Sequence, residues 1–98
     1  MKDFCVLDIE SDGLLNEVTK IHCLSYNIFI DGKSIRQGSI TDYSEIKTFL
    51  LSQSTLVGHN IVCYDIPVIE KILNIKPKAM LVDTLALSWY LYPQEKVH

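Results

Sequence analysis

Val6-Leu7-Asp8-Ile9-Glu10-Ser11-Asp12-Gly13-Leu14-Leu15 is an apolar run that reads as a buried strand, yet it carries two carboxylates two residues apart before it breaks at a glycine. Side chains at i and i+2 of a strand share a face, so Asp8 and Glu10 project together while Leu7 and Ile9 point the other way, into a core. Two like charges held side by side are costly unless a cation or hydrogen bonds compensate them. Hard carboxylate oxygens suit Mg²⁺ or Mn²⁺. The alternative at this point is a strand-end aspartate followed by a glutamate that opens a solvated turn.

Around this stretch the chain has 98 residues, enough for a single domain with a moderate core. A hydrophobic fraction of 48% and a charged fraction of 21% describe a folded, soluble domain rather than a disordered one. The formal net charge of -3 argues against a protein that grips nucleic acid through a basic surface. It leaves room for a nuclease, whose carboxylates meet phosphate through metal ions. Cys5, Cys23 and Cys63 form no CxxC pair and read as reduced, largely buried thiols rather than a zinc site. No segment approaches the roughly 20 apolar residues of a membrane span, and Met1-Lys2-Asp3 does not begin a signal peptide. The expected location is the cell interior, with no membrane partner.

Phe4 to Ile9 is the expected first strand. Lys20 to Ile30 is a second, with Leu24, Tyr26 and Ile28 on its more apolar side, and Asp31-Gly32 is a hairpin signal. Lys33 to Ile40 returns antiparallel as a polar third strand. The period then changes to about 3.6, and Asp42 with Glu45 forms a capping pattern for a helix over Tyr43 to Ser52. Ser54 to Gly58 follows as a short strand parallel to the first. A second helix is expected from Tyr64 to Leu73, with Pro67 in its first turn. Ala79 to Val82 gives a last strand, and a third helix runs from Asp83 or Thr84 to Tyr92, where Pro93 stops it. The order is β-β-β-α-β-α-β-α. Ligands of open α/β sheets gather at the carboxyl ends of the strands, so Asp8, Glu10 and Asp65 converge if the first and fourth strands are parallel neighbours. Three such acids match a site for two metals about 4 Å apart that clamps both oxygens of a phosphodiester.

These residues carry a resemblance. Asp8-Ile9-Glu10 with Gly13-Leu14, Gly58-His59-Asn60 through Tyr64-Asp65, and Val82-Asp83-Thr84-Leu85 resemble the first two motifs and a following helix of the DEDD (DnaQ-like) 3'-to-5' exonucleases. The wording is most similar to the N-terminal proofreading domains of T7-type family A DNA polymerases, and the likeness spans nearly the whole chain. It implies an RNase H-like mixed α/β fold: a three-stranded antiparallel meander followed by α-β-α-β-α, without the C-terminal helices. It implies Asp8, Glu10 and Asp65 as catalytic metal ligands, with Asp8 on both ions, Glu10 on the ion of the attacking water and Asp65 on the leaving-group side. It implies Leu14 as a wedge against the terminal base and Asn60 as a polar contact to the strand. The bland alternatives are a core leucine and a turn or capping asparagine. The implied partner is the 3' end of single-stranded DNA, and for a phage chain the location is the cytoplasm of the bacterial host.

Other residues read more plainly. His59 is a structural histidine or one that supports a ligand, rather than a catalytic base, Tyr64 packs or hydrogen-bonds beneath the site, and Asp83 is either a helix cap or a functional acid. Asp12 and Glu17 belong to a solvated loop, His22 to a strand face, and Trp89, Tyr90 and Tyr92 to helix packing. The resemblance is incomplete, because the family's fourth acid lies in a YxxxD or HxxxxD motif that these 98 residues lack. Residues 1–98 therefore read as a partial exonuclease domain. It would be completed by the rest of a polymerase chain or by a second polypeptide, or else be an RNase H-like remnant that binds nucleic acid or a protein without catalysis. An RNA-directed DEDD exonuclease is a further alternative. A missing helix would also bare an apolar sheet face and favour self-association.

Overall fold

A computed structural model describes residues 3–85. Strand β1 (Asp3–Ser11) pairs antiparallel with β2 (Ile21–Ile30). Strand β2 in turn pairs antiparallel with β3 (Lys33–Ile40). Helix α1 (Tyr43–Ser52) then crosses over to β4 (Thr55–Gly58), which lies parallel to β1. A π-helical turn (Ile61–Asp65) leads into α2 (Ile66–Leu73) and on to β5 (Met80–Asp83), parallel to β4. The sheet order is β3-β2-β1-β4-β5. The expected meander, crossover and parallel register of β1 with β4 are all present, while the expected third helix lies outside the described residues beyond Leu85.

The alternation in β1 sets the layers. Cys5, Leu7 and Ile9 are buried, whereas Val6, Asp8 and Glu10 are exposed on the other face. Both helices cover the first face. Ile46 and Leu50 of α1 and Val68, Ile69 and Leu73 of α2 join Leu24 and Leu56 in one continuous core. Tyr26 and Ile28 pack against that core, as the apolar alternation of β2 implies. Asp31 and Gly32 both have positive φ, 51° and 79°, the geometry of the two-residue hairpin that their pairing foreshadows.

Irregularities account for the places where the pattern misleads. Glu10 faces Cys23 and Ser11 faces Ile21, so the bulge skips His22 and turns Ile21 into the core. The same pairing carries β1 two residues beyond Ile9. The expected α-helix from Tyr64 is replaced by a wider turn, in which the Ile66 N–H donates to the Ile61 carbonyl, and the α-helix starts only at Ile66. Cys63 on that turn is exposed and Cys23 half-buried, so of the three free thiols only Cys5 is buried as expected; burial pushes its thiol up to about 11.

Asp42 caps α1 by accepting the Glu45 N–H at 2.9 Å. Asp42→Ala should cost about 1 kcal/mol, read as a lower urea midpoint with an unchanged m-value.

Candidate metal and substrate site

The site forms where β1 outruns β4. Their pairing ends at Val6 with Val57, which leaves the Ile9 N–H without a ladder partner from β4. The Asp65 carboxylate takes that place, its Oδ2 accepting the Ile9 N–H at 3.2 Å. A side chain at the start of α2 is thereby fixed between the two acidic positions of β1. Asp65 is only 4% exposed. Burial is the largest cause pushing its carboxyl up to about 7; the charge of Asp8 and, more weakly, that of Asp83 add to it, and the Ile9 N–H opposes them.

The sequence-derived candidates are not all equivalent here. Asp8 and Asp65 are brought close enough to repel each other. Glu10 shares the exposed face of β1 with Asp8, but among the described residues no three His, Cys, Asp or Glu side chains stand close enough together to hold a metal. Two carboxylates still suit a hard divalent cation, since Mg²⁺ is commonly held by one or two carboxylates, with water and substrate phosphates completing the shell.

Leu14 is not a core leucine, being 70% exposed. The loop that carries it is held at several points. Asp12 accepts the N–H groups of Thr19 and Lys20 at 2.9 and 3.1 Å and the Thr19 hydroxyl, bonds that hold its own carboxyl well below the usual carboxylate range. The Tyr64 hydroxyl donates to the Gly13 carbonyl at 2.7 Å and touches the Ser11 hydroxyl. Lys71 donates to the Leu15 carbonyl at 3.1 Å. Tyr64 thus hydrogen-bonds to the loop, linking the turn bearing Asp65 to the loop bearing Leu14.

Asn60 adopts the left-handed conformation, φ 61°, with no side-chain capping bond. Its backbone N–H goes to the Asp83 carboxylate at 3.0 Å. His59 pairs through Nδ1 with the Thr84 hydroxyl at 3.2 Å, a structural role. A shallow hollow of about 200 Å³ beside Asp8 is lined by Val6, Ser25 and Asn27 on the exposed sheet face. The larger hollow of about 500 Å³, between α1 and β2–β3, lies away from the carboxylates and is lined by Tyr26, Arg36 and Phe49. The signal that sequence reading undervalued is Asp83, whose aspartate-threonine pairing reads as a helix cap but also binds the turn before Asp65.

No family model matches the chain. In sequence it is 31% identical over 101 residues to the DNA-directed DNA polymerase of Enterobacteria phage T3, an alignment covering 93% of this chain and 14% of the polymerase. The chain thus spans a small part of that relative's length. Among solved structures it superposes on Exonuclease X in complex with 5' overhanging duplex DNA with a TM-score of 0.73 and 16% identity, over 97% of this chain and 68% of that one. It superposes on E. coli Exonuclease I in complex with a dA16 oligonucleotide with a TM-score of 0.71 and 12% identity, over 99% of this chain and 31% of that one. The chain has the RNase H-like fold of the DEDD-type, DnaQ-like exonucleases, and its sequence resembles a stretch of a T3-type phage DNA polymerase.

Proposed function

We propose that residues 1–98 are part of a metal-dependent 3'-to-5' exonuclease domain of the proofreading type, carrying its first two acidic motifs. The observation that carries this reading is the Asp65 carboxylate, buried at the carboxyl ends of two parallel strands and held against Asp8 by the Ile9 N–H. Such an acid has a raised proton affinity that a bound cation relieves. The likeness to exonucleases solved with DNA and to a phage polymerase supports a nucleic-acid substrate.

In this reading Asp8, Glu10 and Asp65 hold Mg²⁺ or Mn²⁺, which supplies Lewis-acid activation of water and of the scissile phosphodiester. The residues of this chain position the reactants. Asp65 accepts the Ile9 N–H through Oδ2, which fixes its carboxylate beside Asp8. Glu10 shares the exposed face of β1 with Asp8 and is the third acid of this reading, although among the described residues no three such side chains stand close enough to hold a metal as they are. Leu14, exposed on a loop fixed by Asp12, Tyr64 and Lys71, would in this reading press against the terminal base of a single-stranded 3' end, a role that its exposure supports. Asn60 offers its side-chain amide to the strand.

The test combines calorimetric titration of Mg²⁺ and Mn²⁺ with digestion of 3'-labelled single strands of DNA and matched RNA. Asp8→Ala is expected to abolish the metal heat and to slow metal-dependent shortening by about 100-fold or more. Absence of metal-dependent shortening, together with unchanged metal binding in Asp8→Ala, would sink the enzymatic reading. One observation favours a second one: no three-ligand cluster forms among the described residues, as suits a non-catalytic module that binds nucleic acid or a protein. Faster loss of the RNA strand would instead indicate an RNA-directed enzyme.

A further inference from the structure

Asp83 ends β5 directly beside Gly58, the last residue of β4. Its Oδ1 accepts the N–H groups of Asn60 at 3.0 Å and Leu85 at 2.9 Å, and its Oδ2 accepts the Val62 N–H at 3.1 Å. Asn60 and Val62 flank Ile61, where the π-helical turn starts from a left-handed residue. Asn60 accepts the left-handed conformation readily, but nothing in Ile61-Val62 favours the turn that follows, since a wide turn is uncommon and β-branched residues resist helical crowding. A carboxylate that collects the amides of both residues flanking Ile61 makes it the favoured one. From there the geometry is transmitted by backbone bonds. The Tyr64 N–H returns to the Asn60 carbonyl at 2.9 Å, the Ile66 N–H returns to the Ile61 carbonyl, and between them stands Asp65, whose carboxylate meets the Ile9 N–H at 3.2 Å.

We propose that Asp83 is a positioning residue for the metal site: it acts through the backbone of residues 60–62 to hold Asp65 at β1. This rests on the metal-binding reading of Asp8 and Asp65. The Gly58 position adds a reason for the arrangement. A Cβ there would stand 3.2 Å from the Leu7 carbonyl and 3.1 Å from the Ile61 Cβ, so β4 passes close against both β1 and the turn that Asp83 shapes.

The test titrates Mn²⁺ alone into the full chain and into Asp83→Asn, Asp65→Asn and Asp42→Ala, the last a loss of stability remote from the site. Asp83→Asn keeps the volume and one acceptor but turns an amide NH₂ toward another N–H. It is expected to weaken Mn²⁺ binding about 10- to 100-fold, the usual effect of losing a group that orients a metal ligand, whereas Asp42→Ala leaves the affinity unchanged. Binding by Asp83→Asn equal to that of the parent chain overturns the proposal while leaving the metal site standing. Mn²⁺ binding that is the same with and without Asp65 overturns the metal reading itself. Should Asp83→Asn fail to fold, the parent chain still decides. Coupling is reciprocal, so saturating Mg²⁺ is expected to slow amide exchange at Asn60 and Val62 together, and unchanged exchange at both overturns the proposal.

Discussion

In the absence of divalent cations the domain loses stability as the pH rises from 5 to 8, and Asp65→Asn abolishes that loss. The cause is the buried Asp65 carboxyl, raised from 3.8 in the unfolded chain to about 7 in the fold. Below pH 3.8 both states hold the proton and Asp65 contributes no pH dependence. Between 3.8 and 7 the folded state keeps the proton that the unfolded state releases, so each rise in pH favours unfolding. Above 7 both are ionised and the full penalty stands. A shift of about three units sets a ceiling of about 4 kcal/mol on that penalty. The measurement is urea unfolding in EDTA at pH 5, 6, 7 and 8. Asp12, held low by its bonds to Thr19 and Lys20, gives the opposite slope, but only as pH falls below the ordinary carboxylate range, outside this window. Asp65→Asn keeps an oxygen to accept the Ile9 N–H while removing the ionisation, so a flat profile in that variant assigns the slope to this group. A parent chain that is equally stable at pH 5 and 8 would contradict the burial of an ionisable Asp65.

A buried carboxylate that destabilises its own fold at neutral pH is an expected signature of a functional position. The same site shows what sequence can and cannot express. The same-face placement of Asp8 and Glu10 follows from a period of two, and the parallel pairing of β1 with β4 follows from a helix between them. Both are local rules extended by chain connectivity. The role of Asp65 as a stand-in ladder partner for Ile9 is not local: it depends on β4 stopping at Gly58 while β1 continues, a length mismatch that no residue pattern announces. The π-helical turn is hidden for the same reason, being imposed by Asp83 from a strand more than twenty residues away. Leu14 could be read either way until its exposure was known. The bulge at His22 turns Ile21 into the core, and a period of two carries no warning of such an inserted residue.

Leu56→Ala should be the most damaging single truncation, and its contrast with Leu14→Ala separates folding from function. Leu56 is fully buried on β4, flanked in register by Cys5 of β1 and Leu81 of β5, and belongs to the core shared by both helices. Shortening it leaves a cavity in a sheet whose neighbours cannot collapse, at a cost of about 2–5 kcal/mol. For a domain of this size each kcal/mol lowers Tm by about 4–8 °C, so the variant should melt at least about 8 °C lower or fail to fold at 37 °C. Leu14 removes a similar volume on paper but is 70% exposed, and its loop is held by the side chains of Asp12, Tyr64 and Lys71 rather than by its own. Its truncation should leave Tm within about 4 °C, since surface changes usually stay within about 0.5 kcal/mol. Its effect should fall on the affinity for a single-stranded 3' end, measured by fluorescence anisotropy in Ca²⁺. A leucine kept out of the core on a loop pinned at both sides costs apolar exposure without contributing to the fold. If Leu14→Ala lowers Tm as Leu56→Ala does, the loop belongs to the core and the wedge reading fails. If it changes neither Tm nor affinity for the strand, the loop is only a connection between β1 and β2.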